Sequence, residues 1–165
     1  MNTTSSADNT MSDGVEDVFD SKEGKVVVVS GGFDPVHIGH VRMFQEAKDL
    51  AGPGGKLIVV INCDAWLVRK KGKAFMREED RAEIIRAFGC VDDVYILHSE
   101  RNDVGEALER IKPHIFANGG DRRNTNDIPE AVVCEQYNIQ MVFNVGTGGK
   151  VRSSSELLKA YNGES

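Results

Sequence analysis

The feature that most constrains the fold is a series of short, continuous runs of apolar residues separated by helical patterns. The runs KVVVVS at 25–30 and LIVVI at 57–61 are rich in β-branched residues and show no polar alternation, which is typical of strands covered on both faces. Three further strands are predicted at 91–97, 114–117 and 139–144. Helices are predicted at 38–51, 78–88, 104–111, 128–137 and 154–161. Because strands alternate with helices, we predict an α/β fold with a doubly wound, five-stranded parallel sheet flanked by helices.

The charge of the chain is concentrated near its N-terminus. The formal net charge is −6, and residues 1–24 account for −5 of it, with six acidic residues and one lysine. A duplex-binding domain normally carries a strong basic excess, so no nucleic-acid partner is expected. The same 24 residues are poor in large apolar side chains, which predicts a flexible acidic tail. Residues 25–162 are then long enough for one domain.

Two further observations concern the setting of the protein. No apolar run approaches the ~18 residues that a bilayer span needs, and the N-terminus lacks the basic and apolar regions of a secretory signal, so no membrane partner is expected. The three cysteines, at 63, 90 and 134, form no CxxC pair, which argues against a disulfide framework or a zinc knuckle. A reduced, cytoplasmic location is therefore expected.

Four polar clusters follow predicted strands or begin a predicted helix. They lie at residues 31–40 (GGFDPVHIGH), 62–64 (NCD), 119–121 (GGD) and 151–155 (VRSSS). In open parallel sheets, ligands bind at the carboxyl ends of the strands, at the point where the strand order reverses. We therefore expect the four clusters to converge on one binding site.

The first cluster combines glycines with two histidines. Gly31 and Gly32 allow the backbone to come close to a ligand. His37 and His40 are three residues apart at a predicted helix N-terminus, so both rings project from one side. Free N–H groups and the helix dipole favour an anion there, and Gly39 leaves room for a base or a ribose. The pattern predicts a polyphosphate site, with two unrelated surface histidines as the alternative interpretation.

At this point the sequence resembles a known family. GGFDPVHIGH is similar to the HxGH signature of the cytidylyltransferase-like nucleotidylyltransferase superfamily. LIVVINCDAWLVRKKGK, REEDRAEIIRAFGCVDDV, FANGGD and VRSSSELL resemble its later motifs in the same order, over nearly all of residues 25–160. In motif form the chain is most similar to heptose-phosphate adenylyltransferases and glycerol-3-phosphate cytidylyltransferase-type enzymes. The resemblance implies a Rossmann-like fold and transfer of AMP or CMP from ATP or CTP to a sugar phosphate or polyol phosphate. Pyrophosphate would be released, and Mg²⁺ would bridge the NTP phosphates.

The resemblance also implies roles for particular residues. His37, His40 and Lys71 are expected to act on the phosphates, with Lys70 and Lys73 as alternatives to the lysine. The expected acceptor-binding residues are Asp64, Trp66 and Arg81. The expected nucleotide-binding residues are Gly32, Phe33, Asp34, Gly39, Gly119, Gly120, Asp121, Ser153, Ser154 and Ser155. No metal ligand from the protein is expected.

Several of these residues have a structural interpretation that stays open. Arg81 suits a surface ion pair with Glu78, three residues earlier. Asp64 suits a helix cap, and the serines at 153–155 suit an N-cap alone. The basic run at 69–73 suits a solvated loop.

Other functions and two departures from the family pattern also stay open. Gly148 stands where several relatives have an arginine, and the segment 71–81 is short, so the rate and the acceptor are undetermined. The alternatives are a nicotinate or nicotinamide mononucleotide adenylyltransferase and a nucleotide-binding module without catalysis. A fragment of a class I aminoacyl-tRNA synthetase is disfavoured by the chain length and the lack of basic excess. The resemblance also allows a homodimer.

Overall fold

The sheet has the predicted architecture. The computed structural model describes residues 24–119, 128–146 and 153–163. Its strands are β1 (Val26–Gly31), β2 (Lys56–Asn62), β3 (Asp93–Leu97), β4 (Ile115–Gly119) and β5 (Gln140–Val145). All neighbouring pairs are parallel and the order is β3-β2-β1-β4-β5. The order therefore reverses between β1 and β4, which confirms the Rossmann-like, doubly wound prediction. Apart from Gly24, the predicted tail lies outside the described residues.

A helix or a pair of helices follows each strand. They are α1 (Ile38–Ala51), α2 (Asp64–Lys71), α3 (Glu78–Arg86), α4 (Gly105–Ile111), α5 (Ala131–Gln136) and α6 (Ser154–Tyr161). The bounds of α1 and α6 agree with the prediction. Among the described residues, no helix has the length and apolar character needed to cross a bilayer.

The sheet separates two apolar cores. Alternate strand residues such as Val27 and Val29 pack with Phe44 of α1 and Ile85 of α3; we call this side the α1–α3 face. The residues between them, such as Val28, pack on the opposite side with α4 and α5 in a second cluster; this is the α4–α5 face. Apolar cover on both sides explains why the strands read as continuous apolar runs.

Helix α2 was not predicted, because residues 69–73 were interpreted as a basic loop. The structure places Lys70 and Lys71 in the last helical turn, where positive charges complement the helix dipole. Gly72 ends the helix with φ 92°, and its N–H donates to the Val68 carbonyl at 2.9 Å. Asp64 is the first helical residue, and the cap position belongs to Cys63. Asp64 is thus not the helix cap that one interpretation proposed.

Helix α5 is shorter than its predicted range of 128–137. Pro129 lies in a turn before the helix, in which the Ala131 N–H donates to the Ile128 carbonyl at 3.1 Å. The first helical hydrogen bond runs from the Cys134 N–H to the Glu130 carbonyl at 3.0 Å. This turn places Glu130 at the carboxyl edge of the sheet, just before α5.

Candidate active site

A cavity of about 440 Å³ lies at the carboxyl edge of the sheet, where the strand order reverses. Residues from all four polar clusters line it, among them His37, Asn62, Gly119 and Ser154. The cavity thus brings together side chains from the ends of β1, β2 and β4 and from the start of α6. This is the convergence that the sequence pattern predicted.

The two imidazoles stack at the N-terminus of α1. Their ring centroids are 3.8 Å apart with an interplanar angle of 24°. The Nδ1 atom of His37 accepts from the Gly39 N–H at 3.1 Å, and the Nδ1 atom of His40 accepts from the His37 N–H at 3.2 Å. Each histidine therefore caps the helix through Nδ1. An Nδ1 that accepts carries no proton, so the proton of each neutral ring is on Nε2.

His40 is held in its neutral form. Its removal from water, followed by the nearby His37 and the positive charge of Lys71, lowers the pKa of His40 to about 3. The Phe33 ring meets the His40 ring edge-on at a centroid distance of 4.8 Å. A neutral imidazole in this position donates a hydrogen bond without adding a full charge.

Phe33 and the glycines before it shape the floor of the cavity. Phe33 is buried and has φ 53°, in the left-handed region. A Cβ on Gly31 would come within 3.0 Å of the Phe33 ring, and a Cβ on Gly32 would come within 3.0 Å of Leu67. Protein side chains thus already approach these glycines closely, and the Phe33 ring supports His40. Gly31, Gly32 and Phe33 all line the cavity, so the approach of a ligand at this turn stays a prediction.

Helix α6 directs its N-terminus to the same cavity. The Ser154 hydroxyl donates to the Pro35 carbonyl at 2.7 Å, which ties α6 to the turn before His37. Ser153 is the N-cap and accepts from the Glu156 N–H at 3.4 Å. Together with Ser155, both serines line the cavity. Two helix N-termini, those of α1 and α6, therefore meet at one place.

Helix α2 contributes Trp66 and Lys71 to the cavity wall. The neighbouring Lys70 lies over the Trp66 ring, with its Nζ atom 5.7 Å from the centroid, and Lys73 is exposed. Of the three lysines considered from the sequence, Lys71 is the one that lines the cavity. Gly39 lines it as well.

Asp34 lines the cavity and has both carboxylate oxygens engaged by the protein backbone. It is buried, and its two oxygens accept from the backbone N–H groups of Phe75 and Met76 at 2.6 and 2.7 Å. These bonds fix the segment before α3 against the turn after β1. Its side chain therefore has a structural role, and its expected nucleotide-binding role stays a prediction.

Arg81 also differs from both interpretations of the sequence. Its side chain is 0% exposed, so it is neither a surface partner of Glu78 nor an accessible phosphate anchor. It donates to the carbonyls of Met76, Gly32 and Asn62 at 2.9, 2.8 and 2.7 Å.

Asp64 is the ionic partner of Arg81. Its Oδ1 atom accepts from Arg81 Nη2 at 2.7 Å, and neither residue lines the cavity. We therefore reassign Arg81 and Asp64 from acceptor binding to positioning, because they hold the ends of β1 and β2 together.

Some cavity residues were missed, and some predicted residues cannot be placed. Gly119 lines the cavity, whereas Gly120, Asp121 and Gly148 lie outside the described residues. The cavity-lining residues that the sequence analysis did not single out include Met43, Asn102, Asp103, Asn118 and Glu130. Asn118 precedes Gly119 at the end of a strand, so the strand-end rule could have found it. Glu130 carried no such signal.

Comparisons with known proteins agree with this arrangement. A family model described as cytidylyltransferase-like matches residues 28–156. The chain belongs to this family. Its range includes the HxGH turn, the four polar clusters up to Ser155 and the first residues of α6.

Curated relatives match parts of the chain. A bifunctional protein HldE of Streptomyces coelicolor is 34% identical over 140 residues, covering 84% of this chain and 28% of that protein. An FAD synthase of Pyrococcus abyssi is 39% identical over 98 residues, covering 58% of this chain and 63% of that protein. The chain spans between 21% and 31% of the length of four HldE proteins that it matches.

A solved structure supports the same fold. The crystal structure of the lipopolysaccharide core biosynthesis protein from Thermoplasma volcanium aligns with a TM-score of 0.59 at 26% identity. The alignment covers 74% of this chain and 98% of that chain. The cytidylyltransferase-like fold is thus found in a protein of similar extent to the described domain.

Proposed function

We propose that this member of the cytidylyltransferase-like family is a nucleotidylyltransferase. It transfers AMP or CMP from an NTP to a phosphorylated small molecule, a sugar phosphate or polyol phosphate, and releases pyrophosphate. Adenylyl transfer is favoured because FAD synthases are among the relatives and their product contains an adenylate. The observation that carries the proposal is the stacked His37–His40 pair, with both Nδ1 atoms engaged, in the cavity that also receives the α6 N-terminus.

In this reaction an oxygen of the acceptor phosphate forms a bond to the α-phosphorus of the NTP. The bond from that phosphorus to the bridging oxygen breaks, and pyrophosphate leaves in line with the attack. No covalent enzyme intermediate is needed, so the protein has to position the reactants and stabilise charge. The residues of the cavity suit this task because most are donors or backbone groups rather than nucleophiles.

His37 and His40 are the proposed donors to the leaving group. Because the Nδ1 atom of each ring accepts from a backbone N–H, Nε2 is the atom through which each ring would reach the phosphates, and the neutral His40 would donate through Nε2–H. The capping bonds also fix the ring orientations before substrate arrives, and a preorganised donor stabilises developing charge without reorganisation.

Helix α6 and Lys71 complete the proposed phosphate site. The Ser153–Ser155 segment presents N–H groups and the hydroxyls of Ser153 and Ser155 at a helix N-terminus, where phosphate binding is favoured. Lys71 supplies a mobile positive charge from the end of α2. The nucleoside would extend past Gly119 and Met43, which line the cavity beside β5.

The proposed Mg²⁺ would be held chiefly by the substrate. Among the described residues, no group of three or more His, Cys, Asp or Glu side chains could hold a metal ion. The donor set around the histidines is suited to phosphate oxygens rather than to a cation. Mg²⁺ commonly binds through phosphates, waters and few protein ligands, and when bound it neutralises charge on the NTP.

The test measures pyrophosphate release by the full-length chain. ATP, CTP, GTP and UTP are combined with Mg²⁺ and a panel of sugar phosphates and polyol phosphates. We expect one NTP to raise the unfolding temperature and to release pyrophosphate only when an acceptor is present. His40→Ala should lower kcat by about 10²–10³, the usual effect of losing a donor to a developing oxyanion.

The matched control is His98→Ala, since His98 is an exposed histidine outside the cavity that pairs with Glu78 at 2.7 Å. It should leave kcat unchanged. An NTP that binds with no pyrophosphate release for any acceptor would contradict the enzyme and favour a nucleotide-binding module. Absence of binding for all four NTPs would contradict both.

A further inference from the structure

Three buried polar atoms in the cavity have no hydrogen-bond partner among the described residues. They are Oδ1 of Asn62, Nε1 of Trp66 and Oε1 of Glu130. Asn62 is 4% exposed and Glu130 is 6% exposed. Folded proteins pair nearly all such groups, because an unmade buried hydrogen bond is costly. All three residues line one cavity, so a molecule bound there is one source of the missing partners.

Two of these atoms, on Asn62 and Glu130, lie on the side of the cavity away from the imidazoles. Ile58 and Val60 of β2 pack on the α4–α5 face, and strand alternation directs Asn62 to that same face. Glu130 is tied to Val104 of the same apolar cluster, since its Oε2 atom accepts from the Val104 N–H at 2.9 Å. The histidines stand instead on α1, above the α1–α3 face.

We call the α4–α5 side of the cavity the carboxylate half. It is lined by Asn62, Asn102, Asp103, Val104, Asn118 and Glu130. None of these described residues is basic, so this half does not favour a phosphate.

The two carboxylates of this half differ in their bonds. Oδ1 of Asp103 accepts from the Gly105 N–H at 2.8 Å and pairs with Arg101 at 3.0 Å. Glu130 accepts from the Val104 N–H through Oε2, and its Oε1 atom, like Asn62 Oδ1, has no partner among the described residues.

Given the proposed function, we infer that the carboxylate half binds the part of the acceptor that is not its phosphate. In-line transfer requires the acceptor to attack from the side opposite the leaving pyrophosphate. With pyrophosphate held by the histidines and α6, we assign the acceptor to the carboxylate half, which contains none of these residues. Glu130 and Asn62 then act as specificity-determining residues that accept hydrogen bonds. They select an acceptor rich in hydroxyl or N–H groups over one with an apolar or anionic body.

The test uses Glu130→Gln in the full-length chain. The glutamine oxygen can still accept from the Val104 N–H, so the fold is kept, while an NH₂ group replaces the free acceptor oxygen. Binding of phosphate esters is measured by ligand-observed NMR in the presence of ATP and Mg²⁺, with no turnover required. Each polyhydroxylated ester is paired with an alkyl ester of similar size, for example glycerol 3-phosphate with propyl phosphate.

We expect the wild-type chain to bind a polyhydroxylated ester at least tenfold more tightly than its alkyl counterpart. Glu130→Gln should remove most of this preference and leave ATP affinity within twofold, and Asn62→Leu should reduce the preference in the same way. Glu135→Gln is the control, because Glu135 is an exposed glutamate of α5 outside this cavity.

Three results would overturn the inference. The first is equal binding of the paired esters by the wild-type chain. The second is a Glu130→Gln variant that behaves like Glu135→Gln, which would mean that water, and not the acceptor, donates the missing hydrogen bond to Glu130. The third is a loss of ATP affinity instead of acceptor preference. Because binding is measured directly, failure of pyrophosphate release would contradict the proposed function and leave this result interpretable.

Discussion

The buried guanidinium of Arg81 gives the sharpest stability prediction. Replacing it by methionine removes three hydrogen bonds to carbonyls, at 2.7–2.9 Å, and the ion pair with Asp64 at 2.7 Å. Hydrogen bonds from a charged group contribute about 1.5–3 kcal/mol each, although they do not add fully. Because the Asp64 side chain is 37% exposed, water can replace its lost partner at little cost in free energy. Most of the lost stability therefore comes from the carbonyls of Gly32, Asn62 and Met76, which are left without a donor.

We therefore expect Arg81→Met to lower the free energy of unfolding by about 3–5 kcal/mol, as for a broken buried pair. Urea unfolding of the full-length chain measures this as a midpoint shift of about 2 M. The matched control is Arg86→Met, at an exposed position of the same helix, which should change the stability by less than about 0.5 kcal/mol. If Arg81→Met lowers the free energy of unfolding by less than about 1 kcal/mol and raises KM for the acceptor, the positioning role is refuted. The result would then support Arg81 as a residue that binds the acceptor.

Two further predictions concern the cavity itself. The folded chain keeps His40 neutral down to a pKa of about 3, whereas the unfolded chain protonates it near pH 6.5. Stability should therefore fall as the pH falls between these values, by up to about 1.4 kcal/mol per pH unit. Urea unfolding should show a shallower fall for His40→Gln, whose side chain can keep the capping bond, and equal slopes would contradict the burial of the ring. A Cβ on Gly119 would meet Met43 Sδ at 2.9 Å and the Val145 carbonyl at 3.0 Å, so Gly119→Ala should lower stability by about 1–3 kcal/mol and weaken ATP binding in a thermal-shift assay. Gly89→Ala, where a Cβ meets nothing within 4 Å, should be neutral, and equal behaviour of the two variants would contradict the packing at β4.

The elements that the sequence predicted well carry strong local signals. The β-branched run of β1 and the Ser153 cap of α6 needed no tertiary information, and the parallel, doubly wound sheet followed from the alternation of strands and helices. The convergence of the four clusters followed from the parallel sheet, since all strand ends then lie at one edge.

The features that the sequence missed depend on contacts between distant residues. In the sequence, Arg81 has the pattern of a surface residue. Its burial depends on the carbonyls at the ends of β1 and β2, which only the folded structure brings around it. Glu130 reaches the cavity because its carboxylate binds the Val104 N–H, 26 positions away. The structural bonds of Asp34 could not be predicted because its partners, the N–H groups of Phe75 and Met76, lie some 40 residues further along the chain.

Nitrogen-15 NMR of the imidazoles tests the central claim most directly. Near pH 7 we expect both His37 and His40 to show an unprotonated Nδ1 and a protonated Nε2, and addition of ATP with Mg²⁺ should shift both Nε2 resonances. Protonation of either ring at Nδ1, or Nε2 resonances that stay unchanged at saturating ATP, would contradict the claim. The claim is that the two imidazoles are oriented in advance by their Nδ1 bonds and contact the phosphates of the NTP through Nε2.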